Sequence, residues 1–409
     1  MTTQLINAMT VAIDDMKKWP AKTVQLFHHN DADGLSSGAI LKTAFERLGY
    51  SVRRFSLEKP YPKVLEKVFQ QKGELIVLTD FAGRIAPLIS DLNQGRNLTL
   101  ILDHHKAFPS TDPRVHNLDP ELFGLKGDRD ITASATCYLF ACALDAANKD
   151  LAYVAAIGAV GDQFYVDGRL VAINREVVLE AVNQGVMEIR EHEQGEDYYF
   201  KTNRGWLPGE KVWGYLDTLG GTGFYQNGTA MGVRVCLEGF SDESDQMLAR
   251  MEVLQNKAYR DQVRRIKKGQ IDQREHIQWF HVQDRFAPMG VKMVGAFLDE
   301  YRNAEIFDPY KYIAGFMVIP DEMPGFGPIQ LNEVKISMRV ANPLKNKIQA
   351  GSIPGLDTFL PEATGRLGGF SDACHSLTAA TTVAIGLESQ LIDEMEKILI
   401  YGYDTQKSG

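Results

Sequence analysis

Two short apolar runs, Leu75 to Leu78 and Leu98 to Leu102, lead into acidic residues, the first through Thr79 to Asp80 and the second directly to Asp103. Neither run alternates polar with apolar residues. Both therefore read as strands covered on two faces, the situation of a parallel sheet with helices above and below it. Parallel neighbours need a crossover long enough to hold a helix. Helical stretches stand at Gly38 to Leu48 and Lys63 to Gln70, and further strands at Val24 to Phe27 and Val52 to Phe55. Helices are also expected over Ser134 to Ala147 and Leu151 to Val160. Met1 to Pro20 reads as a docked helix, since Leu5, Ile6, Met9, Ile13 and Met16 recur at helical spacing. The expected N-terminal fold is a doubly wound, mainly parallel α/β sheet.

At 409 residues the chain exceeds one ordinary core. From about residue 187 it becomes rich in Gly, Trp and Tyr, with Gly220-Gly221-Thr222-Gly223 and a strand-like run from Met231 to Leu237. This reads as an extension of the first domain, which then covers residues 1–240. Residues 241–277 read as a connecting segment dominated by one long helix, Ser241 to Gln273, with Met247, Met251, Leu254 and Ala258 on a buried stripe. Its second half gathers Lys257, Arg260, Arg264, Arg265, Lys267 and Lys268. Those cations are either a solvated face or one wall of a groove for an anionic substrate. Residues 278–409 read as a second, smaller α/β domain. Its strand-like runs are His276 to Val282, Val291 to Phe297, Tyr312 to Ile319 and Val334 to Val340, followed by a glycine-rich segment and a final helix.

The formal net charge of −9 argues against broad electrostatic capture of long nucleic acid, though it permits a local basic groove. Cys137, Cys142, Cys236 and Cys374 form no CxxC pair, which suits a reducing cytoplasm. No apolar run approaches the roughly 20 residues of a membrane helix. Asp14 and Asp15 do not fit the basic-then-apolar layout of a signal peptide. A cytoplasmic protein without a membrane partner is expected.

The chemistry concentrates where strands end. Val24–Phe27 runs into His28-His29-Asn30-Asp31-Ala32-Asp33-Gly34, the two apolar runs end in Asp80 and Asp103-His104-His105, and a small-residue helix, Ala155 to Gly161, ends in Asp162. One aspartate after a strand is ordinarily a turn former or helix cap. Four such groups, gathered at the carboxyl ends where open α/β sheets bind ligands, would repel one another strongly without cations. Carboxylates and imidazoles without thiolate suit Mn²⁺, Fe²⁺, Co²⁺ or Mg²⁺ better than a structural zinc. Two such ions, roughly 3.5–4 Å apart and bridged by one aspartate, form a clamp for phosphoryl displacement.

In their order and spacing, His29-Asn30-Asp31-Ala32-Asp33-Gly34, Asp80, Asp103-His104-His105 and Gly161-Asp162 resemble the four signature motifs of the DHH phosphoesterase superfamily. The resemblance implies that His29, Asp31 and Asp80 hold one metal ion and that Asp33, Asp80, His104 and Asp162 hold the other. His105 would face the substrate phosphate, and Asp103 would orient the histidines. Mn²⁺ is the first expectation. His28 is expected to be a strand-end histidine without a metal role, and Thr132 and Ser134 to cap a helix.

In the second domain, Val334-Lys335-Ile336-Ser337-Met338-Arg339 resembles the strand of the DHHA1 domain that presents a phosphate-binding arginine. Gly365-Arg366-Leu367-Gly368-Gly369, with His375 beyond it, resembles that domain's glycine-rich, histidine-containing loop. Arg339, Arg366, Gly368, Gly369 and His375 are the implied substrate contacts, although Phe370 to Cys374 separates His375 from the glycines. The alternative is a tight turn into the last helix.

The resemblance implies a metal-dependent phosphodiesterase for short oligonucleotides or linear and cyclic dinucleotides, with a homodimer as the assembly considered. A processive single-strand exonuclease comes second. Nucleoside bisphosphate phosphatase and pyrophosphatase or polyphosphatase activities follow. A catalytically silent nucleotide-binding scaffold is the reading from a different class.

Overall fold

The structure is a computed structural model that describes residues 2–406. Met1, the first residue of the helix expected at the N-terminus, lies outside the described residues. That helix, α1 (Thr2–Lys18), buries Leu5, Met9, Ile13 and Met16.

The chain divides into two compact units, Met1–Met251 with Pro324–Phe326, and Glu252–Met323 with Gly327–Gly409. The first opens with β1 (Thr23–His28), α2 (Ala32–Arg47), β2 (Ser51–Ser56), α3 (Pro62–Phe69), β3 (Leu75–Thr79), α4 (Ala86–Asn93), β4 (Leu98–Leu102) and β5 (Val115–Asn117). All five strands are parallel, in the order β2-β1-β3-β4-β5. Every residue of β3 and β4 is buried, as uninterrupted apolar runs require. The strand order reverses between β1 and β3. Successive crossovers leave on opposite sides there and open a crevice at the carboxyl ends.

Helices α5 (Ala133–Leu144), α6 (Ala152–Gly161) and α7 (Ala172–Asn183) follow, then an antiparallel sheet of β6 (Met187–His192), β7 (Gly195–Thr202) and β8 (Gly205–Pro208). Helices α8 (Gly209–Asp217) and α9 (Gly228–Glu238) complete this part. Helix α2 packs against α5, α6 and α9. The small residues of α6 permit a close approach, since a Cβ on Gly158 would lie 2.3 Å from an Asp33 carboxylate oxygen.

The long helix is α10 (Asp242–Lys267), and the boundary between the units falls inside it. The second unit continues with β9 (Asp272–Gln273), β10 (Ile277–His281), α11 (Met293–Tyr301), β11 (Tyr312–Val318), β12 (Glu322–Met323), β13 (Gly327–Pro328), β14 (Glu333–Arg339), α12 (Asn342–Gln349) and α13 (Leu356–Arg366). It ends with β15 (Phe370–Cys374), β16 (Thr378–Ala384) and α14 (Glu388–Gln406). Its six-stranded mixed sheet has the order β15-β16-β14-β11-β10-β9 and buries Ile277, Phe316, Ile336, Leu360 and Leu391.

Three local expectations are corrected. The run Met231 to Leu237 is helical within α9, and most of Val291 to Phe297 belongs to α11. Short apolar runs look alike in a buried strand and a buried helix, and periodicity does not separate them. The helix expected to reach Gln273 stops at Lys267, before Gly269 with its φ of 79°, and Asp272–Gln273 instead pairs with β10. Among the described residues, no helix is long and apolar enough to cross a membrane.

Candidate metal centre

The loop after β1 does two things at once. Asp31 caps α2, its Oδ1 accepting the Gly34 N–H at 3.0 Å, while Oδ2 lies 2.7 Å from His29 Nδ1. A side chain at Gly34 would come within 2.6 Å of the His29 backbone, so the glycine permits the tight entry. The helix thus starts inside the acidic motif, six residues before Gly38, where the sequence suggested its start. Behind the loop, Asn30 Nδ2 donates to the Gly220 carbonyl at 3.0 Å and the Ala32 N–H donates to Asp217 Oδ1 at 2.8 Å. A Cβ on Gly220 would lie 1.8 Å from the Asn30 carbonyl oxygen. The glycine-rich run is a buttress for this loop, a role its composition did not reveal.

Asp80 follows β3 with φ 63°, a strained conformation for a residue with a side chain. Its Oδ2 lies 3.4 Å from His29 Nδ1 and its Oδ1 lies 3.4 Å from His104 Nε2. One carboxylate therefore spans two clusters. The ring of His104 is fixed from behind, because Nδ1 sits 2.8 Å from the Gly127 carbonyl. That carbonyl requires a proton on Nδ1, so Nε2, facing Asp80 and, at 3.7 Å, Asp162 Oδ2, is the nitrogen that could offer a lone pair to an ion once its own proton leaves.

Asp33 binds the first turn of α5, taking the Ala133 N–H at 2.8 Å and the Ser134 N–H at 2.9 Å. The helix dipole favours an anion at that position. Thr132 caps the same helix through the Ala135 N–H, as expected, and Ser134 Oγ donates to the Ala155 carbonyl.

Asp103 is occupied by N–H groups: His104 N at 2.8 Å, His105 N at 3.4 Å and His105 Nδ1 at 2.7 Å on one oxygen, Gly83 N at 2.8 Å on the other. Burial works against its charge, but His105 and these donors hold its carboxyl well below the usual range. These contacts hold the His104–His105 turn in place.

The groups able to share an ion are His29, Asp31 and Asp80, then Asp33, His104 and Asp162, and also Asp80, Asp103, His104 and His105, with ligand atoms within 4.8 Å of one another in each. Asp80 Oδ2 and Asp162 Oδ2 are buried and accept no hydrogen bond. Orphaned carboxylate oxygens are costly in a folded interior unless a cation meets them, so the donor set fits divalent ions. The same crowding makes the metal-free site retain protons. Burial opposes charging His29, yet Asp31 and Asp80 raise it to about 10. Burial and Asp80 raise Asp33 to about 7, burial and Asp33 raise Asp162, and Asp80 and Asp162 outweigh burial to raise His104.

Because His29 is raised to about 10 and Asp33 to about 7, the first is protonated and the second partly so at neutral pH, and an incoming cation must displace those protons. Mn²⁺ affinity is therefore expected to rise with pH through about 7 and on towards 10, with net proton release. Calorimetry in buffers of different ionisation enthalpy checks this. An affinity independent of pH would mean that the ions bind elsewhere.

No known family profile matches the chain. An uncharacterized protein of Methanocaldococcus jannaschii is 31% identical over 161 residues, 39% of this chain and 36% of that protein. The chain thus spans about a third of that relative. Among solved structures, RecJ of Thermus thermophilus in complex with Mn²⁺ superposes with a TM-score of 0.61 at 14% identity, covering 97% of this chain and 55% of RecJ. Exonuclease RecJ bound to manganese gives 0.56 at 15% identity, covering 97% of this chain and 94% of that one. The chain has the DHH fold. The DHH fold is not confined to one activity name: CDC45 of Entamoeba histolytica also matches, with a TM-score of 0.56 at 12% identity over 97% of this chain and 98% of its own. The roles of individual residues therefore rest on the geometry here.

Alongside the DHH motif residues lies one that the sequence reading missed. Asp119 is fully buried, its Oδ1 accepts the Glu121 N–H at 2.9 Å, and burial and Asp103 push its pKa well up. A Cβ on Gly83 would lie 2.3 Å from Asp119 Oδ2 and 3.2 Å from Asp103 Oδ2, so both carboxyls converge on that glycine. Asp119-Pro120 reads as a plain turn start, and nothing local signals the convergence. His28 has partners other than the candidate ligand atoms. It is buried, with Nδ1 2.6 Å from the His29 carbonyl and Nε2 3.2 Å from Arg54, and burial lowers its pKa to about 3.

The C-terminal unit of this DHH fold does not gather the implied substrate contacts into one loop. Gly369 precedes β15, where Phe370 pairs with Thr382, whereas the His375 N–H bonds to the Thr378 carbonyl at the opposite end. Arg339 pairs with Thr378 and so shares the His375 end, away from Arg366, Gly368 and Gly369. The strand inserted between the glycines and the histidine causes the separation, and it also places a hairpin before the last helix. Arg339 makes a fork on Asp299, with Nε at 2.8 Å and Nη2 at 2.9 Å, and Arg366 pairs with Glu362 and Glu394.

Proposed function

We propose that the chain hydrolyses phosphodiester bonds of short oligonucleotides or of linear or cyclic dinucleotides, using divalent metal ions at the β1/β3 crevice. The observation that carries this is Asp80, whose two oxygens each face a separate histidine-containing cluster. His29, Asp31 and Asp80 would hold one ion, and Asp33, Asp80, His104 and Asp162 the other. Mn²⁺ comes first, with Mg²⁺, Co²⁺ and Fe²⁺ as alternatives. When bound, such ions stabilise charge on phosphoryl oxygens and activate water.

The chain's own groups do the orienting. Asp103 fixes His104 and His105, and the Gly127 carbonyl fixes the His104 tautomer. Burial opposes charging His105, but Asp103 outweighs it and raises its pKa, which favours a ring that can donate from Nε2 to a phosphate oxygen. His105→Ala is expected to keep its metal while losing about 10²–10³ in turnover, the usual cost of removing one aimed donor. Loss of metal, read by elemental analysis, would instead make His105 a ligand.

A small anionic nucleotide or a short oligonucleotide is the proposed partner. Recognition through Arg339 would require phosphate to replace Asp299 on its fork. A single-strand exonuclease is the second reading, favoured by the likeness to exonuclease RecJ over nearly the whole of both chains. The test is a hydrolysis screen with Mn²⁺, and then with Mg²⁺, Co²⁺ and Fe²⁺, on dinucleotides, cyclic dinucleotides, oligomers of graded length, nucleoside bisphosphates and pyrophosphate. Rates that climb with oligomer length favour the exonuclease. No hydrolysis with any of the four ions would leave a silent nucleotide-binding scaffold.

A further inference from the structure

The basic half of α10 is more than a solvated face. Together with the segment after β10 it encloses a cavity of about 520 Å³, lined by Lys257, Arg264, Arg265, Lys268, Arg285 and Gln262, with Asp261 as the one acid in the lining. Asp261 is taken by Arg264 at 2.9 Å. The two arginines that are half-buried find only neutral acceptors. Arg265 donates to Gln270 Oε1 at 2.9 Å, and Arg285 donates to Gln283 Oε1 at 3.3 Å and to the His281 carbonyl.

Two buried polar atoms in this lining lack partners. Arg285 Nε is a buried donor without an acceptor. Gln262, only 2% exposed, has no partner for Oε1, and an amide so placed can turn its N–H₂ into the cavity instead. Burial and the nearby Arg265 lower the Arg285 pKa against the smaller opposing pull of Asp284, so these two cations crowd each other. An unpaired buried donor beside crowded cations is the complement of an anion.

The cations also have length. From Lys257 to Lys268 the helix rises roughly 16 Å at 1.5 Å per residue, too long for a single phosphate. The ring of Phe286 in the lining is 1% exposed and offers no stacking platform for a base. We propose that this cavity binds consecutive backbone phosphates of a single-stranded oligonucleotide, independently of base identity. It extends the reading of the metal centre to a substrate of several nucleotides, yet its binding is tested without metal, so the two can fail separately.

The test is fluorescence anisotropy of a labelled oligothymidylate on the full chain in EDTA at several salt concentrations. Arg265→Gln with Lys268→Gln is expected to weaken binding about tenfold or more and to reduce the slope of log K against log salt by about 0.7 for each lost contact. The control pair, Arg260→Gln with Lys267→Gln, removes equal charge from the same helix outside the lining and is expected to change affinity less than about twofold. Arg285→Gln, tested alone, should also weaken binding, and thermal melting confirms that each variant is folded. Equal losses in the two double variants would reduce the effect to overall charge and overturn the site, as would no loss in either. Linear polyphosphate binding as tightly as the oligonucleotide, per phosphate and with the same sensitivity to Arg265→Gln, would assign the site to polyphosphate instead.

Discussion

Asp80→Asn is expected to lower metal-dependent turnover more than about a hundredfold and to weaken both ions together. Changing a group that only supports a metal ligand commonly costs 10–100-fold in affinity or activity, and Asp80 stands between two clusters rather than behind one. The amide keeps the shape but carries no charge, and it presents one oxygen where two are needed. Binding isotherms should therefore show both sites shifted, and turnover should remain low even at saturating Mn²⁺. Near-normal turnover under those conditions would remove Asp80 from its bridging role.

The second large effect is expected at Gly127, which carries no catalytic chemistry. Its carbonyl fixes the His104 ring, and a Cβ added to it would lie 1.4 Å from the His104 carbonyl oxygen. No side-chain rotation relieves a clash between two main chains. Overpacking in a core usually costs about 1–3 kcal/mol, and a backbone collision belongs at or above the top of that range. Gly127→Ala should melt well below the parent and bind one Mn²⁺ rather than two, the His29 side surviving where the protein stays folded. Unchanged melting with full metal content would mean that the loop carrying Gly127 adjusts freely.

The contrast between these positions shows what the sequence could express. Among the candidate ligands, Asp80 and His104 were the most legible because they follow strands of strong apolar character, and parallel strands deliver their carboxyl ends to one edge. The supports were not legible. Gly127, Gly220 and Asp217 act through backbone atoms or close approaches to residues distant in sequence, which no local pattern encodes. The start of α2 was set too late because Asp33-Gly34 has the composition of a turn, although Asp31 is the cap that begins the helix there. The short runs in α9 and, in the second unit, in α11 were too brief for period to decide between helix and strand. Likewise, nothing in Phe370 to Cys374 announced that it would become a strand and carry His375 away from the glycines.

The carboxylate of Asp33 joins residues a hundred positions apart when it accepts the first N–H groups of α5. Those groups meet only in the finished fold, so an unfolded chain has no comparable site for a cation to occupy. A divalent ion held there would act as a thermodynamic ballast, binding the native state alone and adding about 2.7 kcal/mol when free metal stands at a hundred times its dissociation constant. Melting temperature in this protein should accordingly track metal concentration, and a cell's supply of the ion would set how much intact protein it keeps as well as how fast that protein works.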